Sequence, residues 1–265
     1  MSLPPDIADY YDRGEEPERL TRGPEGQLEL IRTHALLERL LPAPPAAIAD
    51  VGGGAGIHAA PLAARGYEVH LVDPVAGHVA QASALGLASA LVGDARELPF
   101  EDERFDAVLL LGPLYHLHER ADRVAALAEA RRVVKPGGLV AAAVISRYAS
   151  TIDGLRGLLE QDGFEASIER DLEDGRHTNP ERRPRWFTTA YFHLPEEVPG
   201  ELEEAGLADV EMLAIEGPAW IVPGLGAQLE DRERRARLLR ALERVERAPS
   251  LLGASAHLMA IGRRR

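Results

Sequence analysis

The segment that most restricts what this chain can fold into is Asp50-Val51-Gly52-Gly53-Gly54-Ala55-Gly56. A short apolar run, Ala47–Val51, enters it, and Ile57–Arg65 leaves it with helical character. Glycines at such a turn allow positive φ and let a ligand approach the backbone closely. The alternation continues downstream. Strands are expected at Tyr67–Val72, Ala90–Val92, Ala107–Leu111 and Leu139–Ile145, and helices at His78–Leu85 and Arg120–Val134. Strands alternating with helices imply βαβ units and a mainly parallel sheet. The continuous apolar run Val108-Leu109-Leu110-Leu111 suits a sheet covered on both faces. A dinucleotide fingerprint, G-x-G-x-x-G, does not fit. Counting from Gly52 and Gly54, the third glycine falls on Ile57, and counting from Gly53, the second falls on Ala55. The spacing is acid-x-G-x-G-x-G.

Composition narrows the function. The 265 residues include no cysteine, which excludes thiolate zinc sites, iron–sulfur clusters, disulfide scaffolds and cysteine nucleophiles. A net charge of −13 gives no general attraction to a phosphate backbone or an anionic membrane, so neither nucleic acid nor membrane is expected as partner. No apolar run reaches the ~20 residues a membrane span needs. Met1 to Asp12 lacks the basic start and apolar core of a secretory signal, so a cytoplasmic location is expected. Lys135 is the only lysine among many arginines, and Ala, Gly and Pro are abundant, a pattern of GC-rich, bacterial coding.

One domain over residues 1–265 is the simplest organisation. Residues 1–45 form an N-terminal cap with a helix over 25–41 ended by Pro42, Pro44 and Pro45. Residues 46–146 form the ligand-binding core. Residues 151–195 form a lid or acceptor region, helical at 151–162, then polar and irregular over 163–189. Residues 196–265 complete the sheet, with a helix at Pro195–Ala205, a strand at Val210–Ile215, a charged helix over 226–247 and a last strand at His257–Ile261. Leu238, Leu239, Leu242 and Val245 of the charged helix are expected to pack on their own domain.

The glycine spacing resembles the first motif of the class I S-adenosylmethionine (SAM) dependent methyltransferases. Four further landmarks follow in register over roughly residues 46–146: Asp73, Gly93-Asp94-Ala95, Phe105-Asp106-Ala107-Val108 and Pro136-Gly137-Gly138. The resemblance implies a Rossmann-like α/β fold: a seven-stranded, mostly parallel sheet with helices on both faces, an antiparallel last strand and a lid inserted after the fifth. It implies SAM as cofactor, leaving as S-adenosylhomocysteine. Gly52, Gly54 and Gly56 would cradle it beside Asp50, Asp73 would accept from the ribose hydroxyls, Asp94 and Ala95 would meet the adenine, and Leu111 would face the methyl end. An acid at Asp50 suits a cationic sulfonium better than a pyrophosphate. In similar enzymes the N-terminal segment folds over the cofactor, so Tyr11 (or Tyr10) would line the pocket. Arg32 would either grip the cofactor carboxylate or sit on a solvated helix face.

The segment Gly112-Pro113-Leu114-Tyr115-His116-Leu117-His118 follows the fourth strand, where acceptors lie in this fold. It lacks the polar first residue of the base-amine methylating motif Asn/Asp-Pro-Pro-Tyr, and it offers no metal-binding acids, so no metal is expected. His116, His193 and Glu216 are the candidate bases. The aromatics between 163 and 193, with Trp220, suit either an apolar acceptor or a lid anchored to the core. The expected activity is in-line transfer of a methyl group to a small-molecule O, N or C acceptor, governed mainly by positioning. Methylation of a peptide and a non-catalytic, SAM-binding scaffold or regulatory role are the alternatives. The sequence does not give the oligomeric state.

Overall fold

The computed structural model describes residues 20–183 and 185–265. The expectations for Tyr10 and Tyr11 fall outside these residues. Helix α1 (Pro24–Leu40) precedes the first strand. The sheet is then built from β1 (Ala47–Val51), β2 (Glu68–Asp73), β3 (Ser89–Val92), β4 (Phe105–Leu110) and β5 (Val134–Ser146). Helices α2 (Ala59–Ala64), α3 (Ala76–Ala82) and α4 (Arg120–Val133) lie in the connections. β3-β2-β1-β4-β5 run parallel in that order. β9 (His257–Arg263) pairs antiparallel with β5, and β8 (Ala208–Ala214) pairs antiparallel with β9. The seven-stranded body is therefore β3-β2-β1-β4-β5-β9-β8, with β9 alone reversed.

This topology fixes where chemistry can gather. β8 runs in the same sense as β5, so its end lies at the carboxyl edge of the sheet. The reversed β9 starts at that same edge, with His257 opposite Ile145. Residues following β1, β2, β3, β4, β5 and β8, and residues opening β9, all converge there, where open α/β sheets bind ligands.

Alternation along the strands divides the core into two layers. Val108 and Leu110 of β4, Val140, Ala142 and Val144 of β5, and Leu258 and Ala260 of β9 face one side, under α4, α7 (Val198–Glu204) and α10 (Pro249–Leu252). Ala107 and Leu109, Leu139 and Ala141, and Met259 and Ile261 face the other, under α1, α2 and α3. Each fully buried Leu or Val contributes about 1.5–3 kcal/mol, which is why these strands read as unbroken apolar runs. A third cluster joins α1 to the C-terminal helices through Leu28, Ala219, Leu225, Leu229 and Leu242.

Two expectations change in detail. The charged helix over 226–247 is two helices, α8 (Leu225–Glu230) and α9 (Arg232–Val245), broken where Asp231 caps the second by accepting from Arg234 N–H. The irregular stretch 163–189 contains a helix, α6 (Phe164–Asp174), bounded by Gly163 and Gly175 in left-handed conformation. It also holds β6 (Arg176–His177), which pairs antiparallel with β7 (Ala190–His193). β7 attaches to the tip of β5 through Ile145 and Ser146. The segment after β5, opened by α5 (Ala149–Leu155), is thus a small folded unit at the carboxyl edge rather than a loop.

Candidate functional site

The glycine turn is shaped by what surrounds it. Gly52 follows β1, donates its N–H to Val72 O at 2.7 Å, and has φ +69. A Cβ there would stand 2.8 Å from Pro113 Cδ, so only glycine lets the loops after β1 and β4 meet. Gly54 has φ +56, and among the described residues nothing but His78 Nδ1, at 4.0 Å, lies near its absent Cβ. A side chain at Gly54 would project into space left open by the described residues.

That space is a cavity of ≈ 680 Å³ along the carboxyl edge. Of the residues expected at the cofactor site, Gly52, Gly54, Gly56, Asp73, Asp94, Ala95 and Leu111 line it, and so does His116. Asp73 closes β2. Its Oδ2 accepts from Gly54 N–H at 2.9 Å, and its Oδ1 accepts from Val75 N–H at 2.9 Å and lies 3.2 Å from His78 Nδ1. One carboxylate therefore ties the glycine turn to the end of β2. Asp94 follows β3 by two residues and is clasped by Arg96, Nε to Oδ1 at 2.9 Å and Nη2 to Oδ2 at 2.6 Å. Those bonds from Arg96 outweigh burial and hold the Asp94 carboxyl below its usual range. Arg96 also reaches Asp122 at 3.1 Å.

The lining is acidic. Glu29, Asp73, Asp94, Glu119 and Asp122 contribute five carboxylates, and Arg96 is the one guanidinium among the described residues. Such a cavity favours a cation and opposes a pyrophosphate. Arg123 braces its wall. Its guanidinium donates to the carbonyls of Leu117 and His118, at 3.0 and 2.8 Å, and to the Glu201 carboxylate at 2.7 Å.

Three expected residues take other positions. Asp50 is fully buried beneath the turn, where a Cβ on Gly53 would meet its Oδ2 at 2.7 Å. It does not line the cavity, and neither carboxylate oxygen has a hydrogen-bond partner among the described residues. Burial, reinforced by the charge of Asp73, pushes its carboxyl up to about 7. Arg32 is 2% exposed and faces away from the cavity lining: Nε donates to Ile215 O at 2.9 Å and Nη2 to Glu246 at 2.7 Å. Both earlier options for Arg32 give way to a buried strut between α1 and the C-terminal elements. His193 is fully buried, 3.4 Å from Glu201, and burial lowers its pKa. It lines neither cavity.

Glu216 belongs to a second cavity of ≈ 710 Å³, which shares Glu29 and Tyr115 with the first. Glu216 Oε2 accepts from Ser255 Oγ at 2.9 Å and His257 N–H at 3.0 Å, and Oε1 lies 2.5 Å from His257 Nδ1. Glu29, Glu216 and His257 bring three possible metal donors within 4.8 Å of one another. Two ligands with bonds of ~2.1 Å stand about 3 Å or more apart on one ion. The 2.5 Å separation instead suits a hydrogen shared between Glu216 and His257. Deeper in the cavity wall, His177 Nδ1 meets Asp171 Oδ2 at 2.8 Å, and the same oxygen accepts from Ser150 Oγ. Tyr115 and His116 reach the junction on a short turn, Leu114–His116, and the His116 ring stacks on Phe187 at 6.1 Å.

Sequence reasoning missed Glu29 and His257. The signal for His257 was present in the expected antiparallel last strand, whose first residue must sit at the carboxyl edge. Glu29 carries no comparable local signal.

Residues 49–142 match the family model of a methyltransferase domain. An uncharacterized methyltransferase of Mycobacterium tuberculosis is 35% identical over 103 residues, 38% of this chain and 41% of the relative. A demethylmenaquinone methyltransferase of Mycobacterium sp. (strain KMS) is 28% identical over 181 residues, 65% of this chain and 66% of the relative. The chain thus spans about two-fifths of the first of these relatives and about two-thirds of the second. A solved SAM-dependent methyltransferase from Thermotoga maritima, titled a possible histamine N-methyltransferase, shares the fold with a TM-score of 0.59 at 17% identity, over 98% of both chains. The chain thus carries a match to a methyltransferase domain at residues 49–142, on the fold of a solved SAM-dependent methyltransferase.

Proposed function

We propose that this chain transfers the methyl group of SAM to a small molecule held in the second cavity. The observation that carries the reading is the pairing of the two cavities, which meet at Glu29 and Tyr115 on the carboxyl edge. The first cavity fits the cofactor. Its glycine cradle leaves a ligand room at Gly54, Asp73 presents a fixed carboxylate, and the acidic lining matches a cationic sulfonium. Gly52, Gly54, Gly56, Asp73, Asp94, Ala95 and Leu111 would hold it. SAM supplies an activated methyl group on a good leaving group.

The protein's part is mainly positioning. Asp73 locks the turn, Arg123 fixes the wall, and the Tyr115–His116 turn separates donor from acceptor space. Holding reactants in line supplies several kcal/mol of the barrier. His116 stands at the junction and the Glu216–His257 pair stands in the acceptor cavity; either is in a place to take a proton from an O–H or N–H acceptor. The kinship to a demethylmenaquinone methyltransferase supports a small acceptor.

The test is transfer of labelled methyl from SAM to a panel of small hydroxyl, amine and carboxyl compounds, with a peptide mixture alongside. Label entering a small compound supports the reading. Label entering only peptide overturns the acceptor class. SAM bound without transfer to anything points to the non-catalytic alternative.

A further inference from the structure

Glu29 of α1 and Tyr115 of the Leu114–His116 turn are the only described residues that line both cavities. They bring different parts to that junction. Glu29 is a carboxylate on a flexible stem, whereas Tyr115 is a flat ring with two side-chain torsions. A group passing from the first cavity to the second has to pass the ring. Beyond it the second cavity holds ≈ 710 Å³, room for a whole small molecule. A limit on size therefore falls at the junction and not in the space behind it.

The ring is held on every side that the fold supplies. Tyr115 is 8% exposed and packs in a buried cluster with Ile145 at the tip of β5, Ala149 of α5, and Ala190 and Phe192 of β7. Phe187 meets it edge to face, with centroids 6.1 Å apart. Its hydroxyl end lies against the backbone of the loop after β4: a Cβ on Gly112 would stand 3.5 Å from Tyr115 Oη and 3.2 Å from Gly52 O. Tyr115 thus reaches from the glycine turn to the small unit after β5. Its own backbone is bonded in place. His116 N–H donates to Pro113 O at 3.0 Å, Leu117 N–H donates to Leu114 O at 3.2 Å, and Arg123 holds the carbonyls of Leu117 and His118. A side chain fixed by close packing and by a bonded turn meets a larger neighbour as a clash, because such interiors have little free volume to yield.

We propose that Tyr115 determines which alkyl group the donor can carry: its ring closes the junction of the two cavities to any sulfonium substituent longer than methyl. This rests on the methyl-transfer reading above and names the residue that restricts the donor. The restriction is steric. SAM and its longer-chain analogues carry the same sulfonium charge, so the charges around the junction act on all of them alike. One added methylene against an unyielding wall typically costs a factor of ~10 or more in selectivity.

The experiment is calorimetric titration of the full chain with SAM, S-adenosylethionine and the S-allyl analogue, repeated on Tyr115→Phe, Tyr115→Ala and Tyr115→Leu. Wild type should bind SAM at least ~10-fold more tightly than either analogue. Tyr115→Phe keeps the ring and should keep that gap. Tyr115→Ala removes the ring and should close the gap to within about threefold; Tyr115→Leu is the second variant should Ala fail to fold. S-adenosylhomocysteine carries no transferable group on sulfur, so its retained binding shows that a variant is folded around the cofactor site, and a merely structural loss would weaken all the ligands together. Wild type binding the ethyl analogue as tightly as SAM overturns the proposal and leaves methyl transfer standing. A gap that survives in Tyr115→Ala and Tyr115→Leu, or is already lost in Tyr115→Phe, does the same. Wild type that binds neither SAM nor S-adenosylhomocysteine overturns the methyl-transfer reading as well.

Discussion

Asp50 should make this protein less stable as the pH rises, and Asp50→Asn should remove that dependence. The carboxyl is fully buried, has no hydrogen-bond partner among the described residues, and is pushed up to about 7 from 3.8, by burial first and the charge of Asp73 second. A raised carboxyl pKa means the folded chain holds a proton that the unfolded chain releases. Stability from this group is therefore complete below the unfolded value near 4 and declines as pH rises to about 7, beyond which the loss is full. At about 1.4 kcal/mol per pKa unit, the full loss is about 4 kcal/mol. Roughly 3 kcal/mol of it falls between about pH 5 and pH 8.5. Asn has the same shape and no charge to bury. The difference in unfolding free energy, variant minus wild type, should rise by about 3 kcal/mol over that range. Urea unfolding followed by circular dichroism, at several pH values without cofactor, reads it directly. A difference that stays flat, or moves against Asn as pH rises, would refute the assignment of Asp50 as a buried, unpartnered acid.

Other substitutions separate binding from folding. Gly54→Val should lose at least ~10-fold in S-adenosylhomocysteine affinity by calorimetry, because the side chain enters the cavity and a positive φ of +56 strains a β-branched residue. Its secondary structure should persist. Arg32→Met should cost about 3 kcal/mol of unfolding free energy by leaving Glu246 one buried partner short. Cofactor affinity of the folded fraction should not change, and a large loss there would restore Arg32 to the site. Glu201 is held at about 2: burial opposes its charge, but His193 and Arg123 beside it more than compensate. A depressed carboxyl stabilises the fold above its unfolded pKa and loses that contribution as pH falls toward 2. Glu201→Gln should therefore unfold at a higher pH than wild type during acid titration, and coincident acid transitions would contradict this.

The sheet was legible because its strands carry two-sided burial in their composition. Val108-Leu109-Leu110-Leu111 has one reading only, and the glycine turn before α2 fixes the direction of the chain. The cofactor end was legible because its polar residues follow strands whose ends the topology aligns: Asp73 and Asp94 had to fall on the carboxyl edge. The second cavity was not, because it is assembled from distant segments. Glu29 comes from α1, Glu216 follows β8 and His257 opens β9, and no local spacing links them. Arg32 misled because an arginine on a helix before the first strand looks the same whether it faces a ligand or a buried glutamate 214 residues away. Asp50 misled for a related reason. Its place in the motif is local, but the direction of its side chain is set by Gly53 and Leu71, which close over it. Helix α6 went unread because its apolar positions, Phe164, Ile168 and Leu172, are outnumbered by charge, while its caps are glycines that also suit loops.

The acid-lined cavity over the glycine turn fits SAM. Titration of the full chain with S-adenosylhomocysteine and with NAD, beside Asp73→Ala, is the test. Micromolar binding of S-adenosylhomocysteine is expected, with at least ~100-fold loss in Asp73→Ala, corresponding to about 2.7 kcal/mol, and no binding of NAD. Binding of NAD in preference to S-adenosylhomocysteine, or full affinity in the variant, would contradict it.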